Sequence, residues 1–327
     1  MDFYTEVDAP LSNFKIDYTK NLMFVGSCFA QNISQKFVNL KFRTLVNPFG
    51  IIYNPLSIER MFENIAAGKH YTENDIFCDH GMWNCWDAHS SLSSRNREEC
   101  LANLNNAITA STEFLKRTDV VFITLGTAFV YFMKLGGMVV SNCHRQDPEF
   151  FGRELISVEE AARSLEKMVD ILRKQNSRIK VVFTVSPLRH LSDGAHGNNL
   201  SKSTLHLAVS RVEAKFTETV SYFPSYEIVM DELRDYRFYD RDMIHLSDVA
   251  EDYIFERMGR AYFESKTLEN VELVKKFMKA VNHKVVDTES PKNKAFAEKH
   301  IALAKTLMEQ IPGLDLQKEI EQFQSYC

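Results

Sequence analysis

The chain has 327 residues, 45% hydrophobic and 12% aromatic, enough to bury a large core as one big domain or as one domain with an appendage. A net charge of -5 gives no electrostatic reason to bind nucleic acid or an anionic membrane surface. Six cysteines are too sparse for a disulfide scaffold, no segment approaches a membrane span, and the acidic start Met1-Asp2-Phe3-Tyr4-Thr5-Glu6 lacks the basic and apolar regions of a signal peptide, so reduced thiols and a cytoplasmic location are expected.

In chain order, the apolar run Leu22 to Val25 reads as a buried strand, and Phe29, Ile33 and Phe37 at spacing four read as the helix after it. A weaker strand is expected near Phe42 to Val46. Leu101, Leu104, Ile108 and Leu115 fit one helical face, and Val120 to Leu125 is the next strand. Ser157-Val158-Glu159-Glu160 is a capping box ahead of a helix carrying Ala161, Leu165, Met168 and Leu172. Lys180 to Val185 reads as a strand, the segment from Ser201 as a helix carrying Leu205, Val209, Val212, Phe216 and Val220, and Tyr226 to Met230 as a further strand. Ser247 caps a helix with Ala250, Ile254 and Met258. This alternation predicts an α/β fold with a parallel sheet covered by helices on both faces, and ligands at the carboxyl ends of its strands.

Past Glu264 the pattern turns to Lys/Glu-rich helices. Ser290-Pro291 supplies a cap and a first-turn proline before Phe296, His300, Leu303, Leu307 and Ile311; Pro312-Gly313 stops that helix, and Leu316, Ile320 and Phe323 begin another. The expected organisation is an α/β domain over 1–265 and a C-terminal helical extension over 266–327. The extension would cover the main domain or a partner subunit, so a homo-oligomer through these helices is one expected outcome.

Two short stretches carry chemistry. Gly26-Ser27-Cys28-Phe29-Ala30 sits at a strand-to-helix turn, where first-turn amides without helical partners point at any anion that forms there. Far downstream, Asp242-Met243-Ile244-His245 sets a carboxylate three residues from an imidazole. A serine hydroxyl needs a base to take its proton, which makes His245 the candidate base and Asp242 the group that fixes its tautomer. Asp240 competes for that second role, and with Asp242 and His245 it could also form a metal site; two hard oxygen ligands beside one His are an unspecific pattern, so neither metal nor cofactor is expected.

Val25-Gly26-Ser27-Cys28-Phe29-Ala30 matches the motif that names the GSCFA-domain proteins, and the chain resembles that family, a branch similar to the SGNH (GDSL-like) hydrolases. Further matching blocks follow in order: Asn47-Pro48-Phe49-Gly50 with Tyr53-Asn54-Pro55, Leu125-Gly126-Thr127-Ala128, Asn142-Cys143-His144, Ser186-Pro187-Leu188-Arg189-His190, and Tyr239 to His245. The resemblance runs from about residue 20 to about 262. It implies a three-layer α/β/α fold with a mostly parallel, flavodoxin-like sheet and a triad of Ser27, Asp242 and His245. It also implies oxyanion donors in the backbone amides of Ser27 and Gly50. The third block departs from the pattern: Gly126-Thr127-Ala128 lacks the Asn that SGNH enzymes place there, so Asn142 or the Thr127 hydroxyl is the expected substitute.

The implied activity is that of a serine esterase or acyltransferase acting on a small-molecule or glycan O-acyl substrate through an acyl-Ser27 intermediate. Trp86 and His89, in an aromatic stretch that reads as a long loop, His144 beside it, and Arg189 are candidates for substrate contacts. Two other readings stand beside this one. Cys28 could be the nucleophile, as a thiol acidified at a helix N-terminus, although residue 28 is expected to point into the helix start and away from the substrate. Alternatively, the chain is a binding protein that keeps the fold without catalysis, the reading that the missing third-block Asn favours.

Overall fold

The computed structural model describes residues 4–283 and 291–325. In chain order the elements are β1 (Asn21–Gly26), α1 (Cys28–Asn39), β2 (Arg43–Val46), α2 (Pro55–Ala67), β3 (Phe77–Asp79), β4 (Met82–Asn84), α3 (Arg97–Leu115) and β5 (Val120–Leu125). Then come β6 (Phe129–Met133), β7 (Val139–Val140), β8 (Phe151–Leu155), α4 (Val158–Gln175), β9 (Lys180–Val185), α5 (Gly194–Lys215) and β10 (Val220–Tyr222). The chain continues with α6 (Ser225–Glu227), α7 (Asp248–Tyr262), α8 (Ser265–Val281), α9 (Pro291–Gln310) and α10 (Gln317–Gln324).

Five strands form one sheet in the order β2-β1-β5-β9-β10, and every pairing in it is parallel. Counting only these strands, the spatial order is 2-1-3-4-5, the flavodoxin-like arrangement, whose direction of winding reverses between β1 and β5. Successive residues of a strand face opposite sides of the sheet. Met23 and Val25 of β1 therefore join one apolar core, under α2, α3, α4 and α5, while Leu22 and Phe24 join a second, under α1 and α7. Helices α8, α9 and α10 contribute Phe277, Leu307 and Phe323 to the second core, so the C-terminal helices lie on the α/β layer and complete it. The Glu319 carboxylate also pairs with Lys41.

Local chemistry accounts for the boundaries. Asn54 accepts from Ser57 N ahead of Pro55 at the start of α2, Ser157 and Glu160 form the capping box of α4, and the Ser247 side chain accepts from Ala250 N at α7. Two expectations need correction. Tyr226–Met230 is not a strand: Ser225–Glu227 is helical and runs into a π-helical turn at Ile228–Glu232, because a short apolar run serves a buried helical turn as well as a buried strand. The last strand is instead Val220–Tyr222, so Val220 lies beyond the helix, which ends at Lys215. The stretch around Trp83 is partly a β3–β4 hairpin, and a separate antiparallel sheet, β7-β6-β8, follows β5. Ser290 and Cys327 lie outside the described residues. Among the described residues, no helix is long and apolar enough to cross a membrane.

Candidate active site

The site is built on the carboxyl ends of β1 and β5. Gly26 ends β1 with φ of +139°, and a Cβ there would lie 2.2 Å from the Thr124 carbonyl oxygen, so only glycine lets the two backbones approach. Asn47 pins the turn: its Oδ1 accepts from Gly26 N at 2.9 Å and its Nδ2 donates to Gln31 Oε1 at 2.9 Å. Ser27 is extended, with φ -71° and ψ 176°, and precedes the first turn of α1. Its side chain caps nothing; Ser27 Oγ is buried and has no hydrogen-bond partner among the described residues. Cys28 is the first helical residue, half-buried, and its Sγ lies 3.7 Å from His245 Nε2.

The expected contact between Ser27 and His245 is therefore not formed, and Cys28 does not point away from the site. The extended backbone at Ser27 carries the strand one residue past Gly26 and leaves that hydroxyl inside the layer. The helix begins only at residue 28, so the thiol tops the turn.

His245 is presented by a loop closed by a Tyr239–Leu246 bridge and by Asp240 N donating to His245 O at 2.8 Å, with Met243 in the left-handed region at φ 61°. Asp242 Oδ1 accepts from Ile244 N at 2.9 Å and His245 N at 2.8 Å, while its Oδ2 lies 2.5 Å from His245 Nδ1. The bond to His245, followed by those backbone amides, holds the Asp242 carboxyl down at about 2, so it is ionised. An ionised carboxylate only accepts, which puts the imidazole hydrogen on Nδ1 and leaves Nε2 as the acceptor facing Cys28 Sγ. Asp240 takes Arg241 N instead, and no group of three or more His, Cys, Asp and Glu side chains among the described residues is arranged to hold a metal ion.

Burial raises the pKa of the Cys28 thiol; the amides of Phe29 and Cys28 and the charge of Lys202 act against that rise, and Asp242 adds to it. The resting group is thus a thiol that needs a base, and His245 Nε2 is placed to be that base.

A cleft of about 590 Å³ is lined in part by Tyr53, His89, Thr127, Asn142, Arg153 and His190; Ser27, Cys28, Asp242 and His245 are not among its lining residues. Tyr53 is the lining residue that feels the Cys28 charge. Its ring lies against Gly126, where a Cβ would come within 2.8 Å, and stacks on His190 at 5.2 Å; burial and then the Cys28 charge raise its pKa. Burial and the Lys202 charge press His190 down to about 4, so its ring is neutral near pH 7.

The other expected site residues divide. His89 lines the cleft and accepts from Ser91 N. Trp86 and His144 are packed behind it: Trp86 stacks on Phe77 at 3.8 Å, while His144 is buried with Nε2 2.8 Å from Cys85 O. The Gly50 amide is not free, because it donates to Asn47 O at 2.8 Å in a tight turn. Thr127 Oγ1 accepts from Phe129 N and meets Ser201 Oγ. Asn142 uses its Oδ1 on His144 N and lines the cleft. Arg189 meets Asn199 Oδ1 and Met230 Sδ rather than a carboxylate.

Sequence reasoning noted Tyr53 only as part of a matching block, without a role, and passed over Arg153 and Lys202. For Lys202 a signal was present: it falls in the stripe of Leu205, Val209 and Val212, on the buried face of α5, where a charge is out of place.

The molecule is thus an α/β protein of flavodoxin-like strand order that sets a thiol, an imidazole and a carboxylate in series at the carboxyl edge of its sheet. Residues 21–258 match the GSCFA family model and residues 274–326 match that of the GSCFA domain protein, C-terminal domain, so the chain belongs to the GSCFA family. No curated protein matches it in sequence. Among solved structures, an acetyl xylan esterase (Est2A) from the rumen bacterium Butyrivibrio proteoclasticus aligns with 12% identity and a TM-score of 0.34 over 65% of this chain and 57% of that one. The chain thus spans less than two thirds of that enzyme's length, and a likeness of this degree carries nothing about mechanism or substrate.

Proposed function

We propose that this GSCFA protein is a hydrolase or acyltransferase of O-acyl groups in which Cys28, rather than Ser27, is the nucleophile. The observation that carries the reading is the series from Cys28 Sγ to His245 Nε2, 3.7 Å, and from His245 Nδ1 to Asp242 Oδ2, 2.5 Å. In the first half-reaction His245 Nε2 takes the thiol proton while Sγ attacks the ester carbonyl; the imidazolium then returns that proton to the departing alcohol, leaving an acyl thioester on Cys28. In the second half-reaction the same base deprotonates water or an acceptor alcohol, which displaces Cys28 and restores its thiol. Amides at the start of α1, with Asn142 as a side-chain donor from the cleft, are the proposed oxyanion donors. Aromatic rings of Tyr53, Phe129 and Tyr131 beside uncharged Asn142 and Gln146 support a glycan as the group carrying the acyl chain.

The test is turnover of a panel of small activated esters together with iodoacetamide labelling. Cys28→Ala is expected to abolish turnover and to remove the label from the residue-28 peptide, while Ser27→Ala keeps both. Turnover that survives Cys28→Ala and is lost in Ser27→Ala returns the nucleophile to Ser27. A thiol that burial keeps protonated is what favours the second reading, a non-catalytic glycan-binding protein, and a wild type inert across the panel would select it.

A further inference from the structure

The wall of the cleft that Tyr53 lines carries one sign of charge. Among its lining residues there is no Asp, Glu or Lys, and its cation is Arg153, in the middle of β8. Burial lowers the pKa of His89, and burial with the Lys202 charge presses His190 down to about 4, so both rings are neutral near pH 7. Burial also pushes the Cys143 thiol up to about 11, so it stays protonated there.

Arg153 is held from behind and from the side. Its ion-pair partner is Asp193, at the entry to α5, whose side chain is wholly buried and is not part of the cleft wall. Asp193 caps no amide of α5, and among the described residues its oxygens accept no hydrogen bond, which leaves Arg153 as the group that justifies a buried carboxylate. An apolar pair at these two positions would join the strand to the helix without burying a charge, so packing does not account for them. From the side, the guanidinium lies 4.2 Å from the ring centre of Phe129 and 5.2 Å from that of Tyr131, both on β6, with Tyr131 directly opposite Arg153 in the strand pairing. A guanidinium has five N–H donors in a planar fork, and apart from Asp193 no group among the described residues accepts from this one.

We propose that the cleft takes an acidic glycan, with Arg153 binding the oxyanion of one sugar unit, a uronate carboxylate or a sugar phosphate. Asp193 and the two rings fix the plane of the fork, and the donors left over meet the oxyanion through charge-assisted bonds. Asp193 lies behind the guanidinium, farther from a ligand in the cleft than the cation is, so the attraction keeps the sign of the cation. This rests on the glycan reading of the same cleft, but it is read by binding, which needs no turnover.

The test titrates the full chain by calorimetry with digalacturonate, maltose 1-phosphate and neutral maltose. At least one acidic ligand is expected to bind about tenfold or more tighter than maltose, and the tighter of the two says whether the oxyanion is carboxylate or phosphate. Arg153→Met should weaken that ligand by about tenfold or more, the scale of one charge-assisted contact, and leave maltose unchanged. Equal binding of all three, no binding of either acid at about 10 mM, or an acid preference that survives in folded Arg153→Met overturns the proposal. Should that variant fail to fold, NMR of the wild type decides: the Arg153 side-chain Nε–H resonance should shift with the tighter acid and saturate with it, and an unmoved resonance overturns the proposal. Acid binding that depends on Arg153 in a protein inert toward every ester keeps this inference and rejects the acyl-transfer reading. Turnover of esters by a protein that binds neither acid does the reverse.

Discussion

At the residue scale, orientation decides the chemistry. Ser27 and Cys28 are neighbours, and which of them meets His245 depends on whether the helix starts at 27 or 28. A one-residue boundary of that kind is not written in a hydropathy pattern, because both side chains are small and weakly polar. The buried Ser27 hydroxyl has no partner among the described residues, and an unsatisfied buried hydroxyl costs about 1–3 kcal/mol. Ser27→Ala is therefore expected to leave urea-unfolding stability unchanged or to raise it by up to about 1 kcal/mol; a loss larger than that would show that the hydroxyl has a partner. Asp242 carries the opposite expectation. Asp242→Asn removes the acceptor that fixes the His245 tautomer and should lower kcat by about 100-fold or more. Its carboxyl has a folded pKa of about 2 against an ordinary 3.8, so between those values the unfolded chain binds more protons and stability rises with pH. Thermal melts of the wild type should lose this contribution as pH falls through about 2, and the Asn variant should lack that limb. The Asp-x-x-His pair was legible in the sequence because both groups sit on one short loop and need no long-range geometry to meet.

At the element scale, the strands with unbroken apolar runs were the legible ones: β5 and β9 span the residues expected of them. What the pattern concealed was the turn after β10, where Ile228 and Val229 are buried from a π-helical segment. Glu232 closes that turn. Its carboxylate, almost wholly buried, accepts from Arg257 Nη1 at 2.9 and 2.8 Å, from Val7 N at 3.0 Å and from the Tyr253 hydroxyl, tying the N-terminal segment and the π-turn to α7. The sequence offers no sign of this, since Glu232 and Arg257 are 25 residues apart and each reads as a surface charge. Glu232→Gln keeps the shape but leaves the Arg257 charge only the exposed Glu6 carboxylate, 3.4 Å from its Nη1, so chemical denaturation should report a loss of about 3 kcal/mol, the low end for breaking a buried pair. A loss below about 1 kcal/mol would show that Glu6 alone suffices for Arg257.

At the scale of the whole molecule, the C-terminal helices supply packing that the α/β layer needs. Gly313, in the bend between α9 and α10, sits so close to the backbone of Tyr18 that a Cβ would lie 2.3 Å from its carbonyl oxygen. Deleting residues 265–327 would strip Val274, Phe277, Leu307, Leu316 and Phe323 from the second core, and the truncated chain is expected to aggregate or to bind a hydrophobic dye strongly. A soluble, cooperatively unfolding 1–264 fragment would show that the layer is self-sufficient.

The second core has a consequence for how the chain is made. Ile16, Tyr18 and Phe24 near one end share that core with Leu316, Ile320 and Phe323 near the other. On the ribosome β1 emerges well before β5, the neighbour it pairs with, and Leu316, which shares its core with Phe24, is made 292 residues after it (316 − 24). Until then the nascent chain carries a wide oily surface that is not closed, and local contacts cannot substitute for partners so distant in sequence. Its yield in the cell should depend less on the strength of the finished fold than on the holdase chaperones that shield that surface until the final turn of α10 arrives.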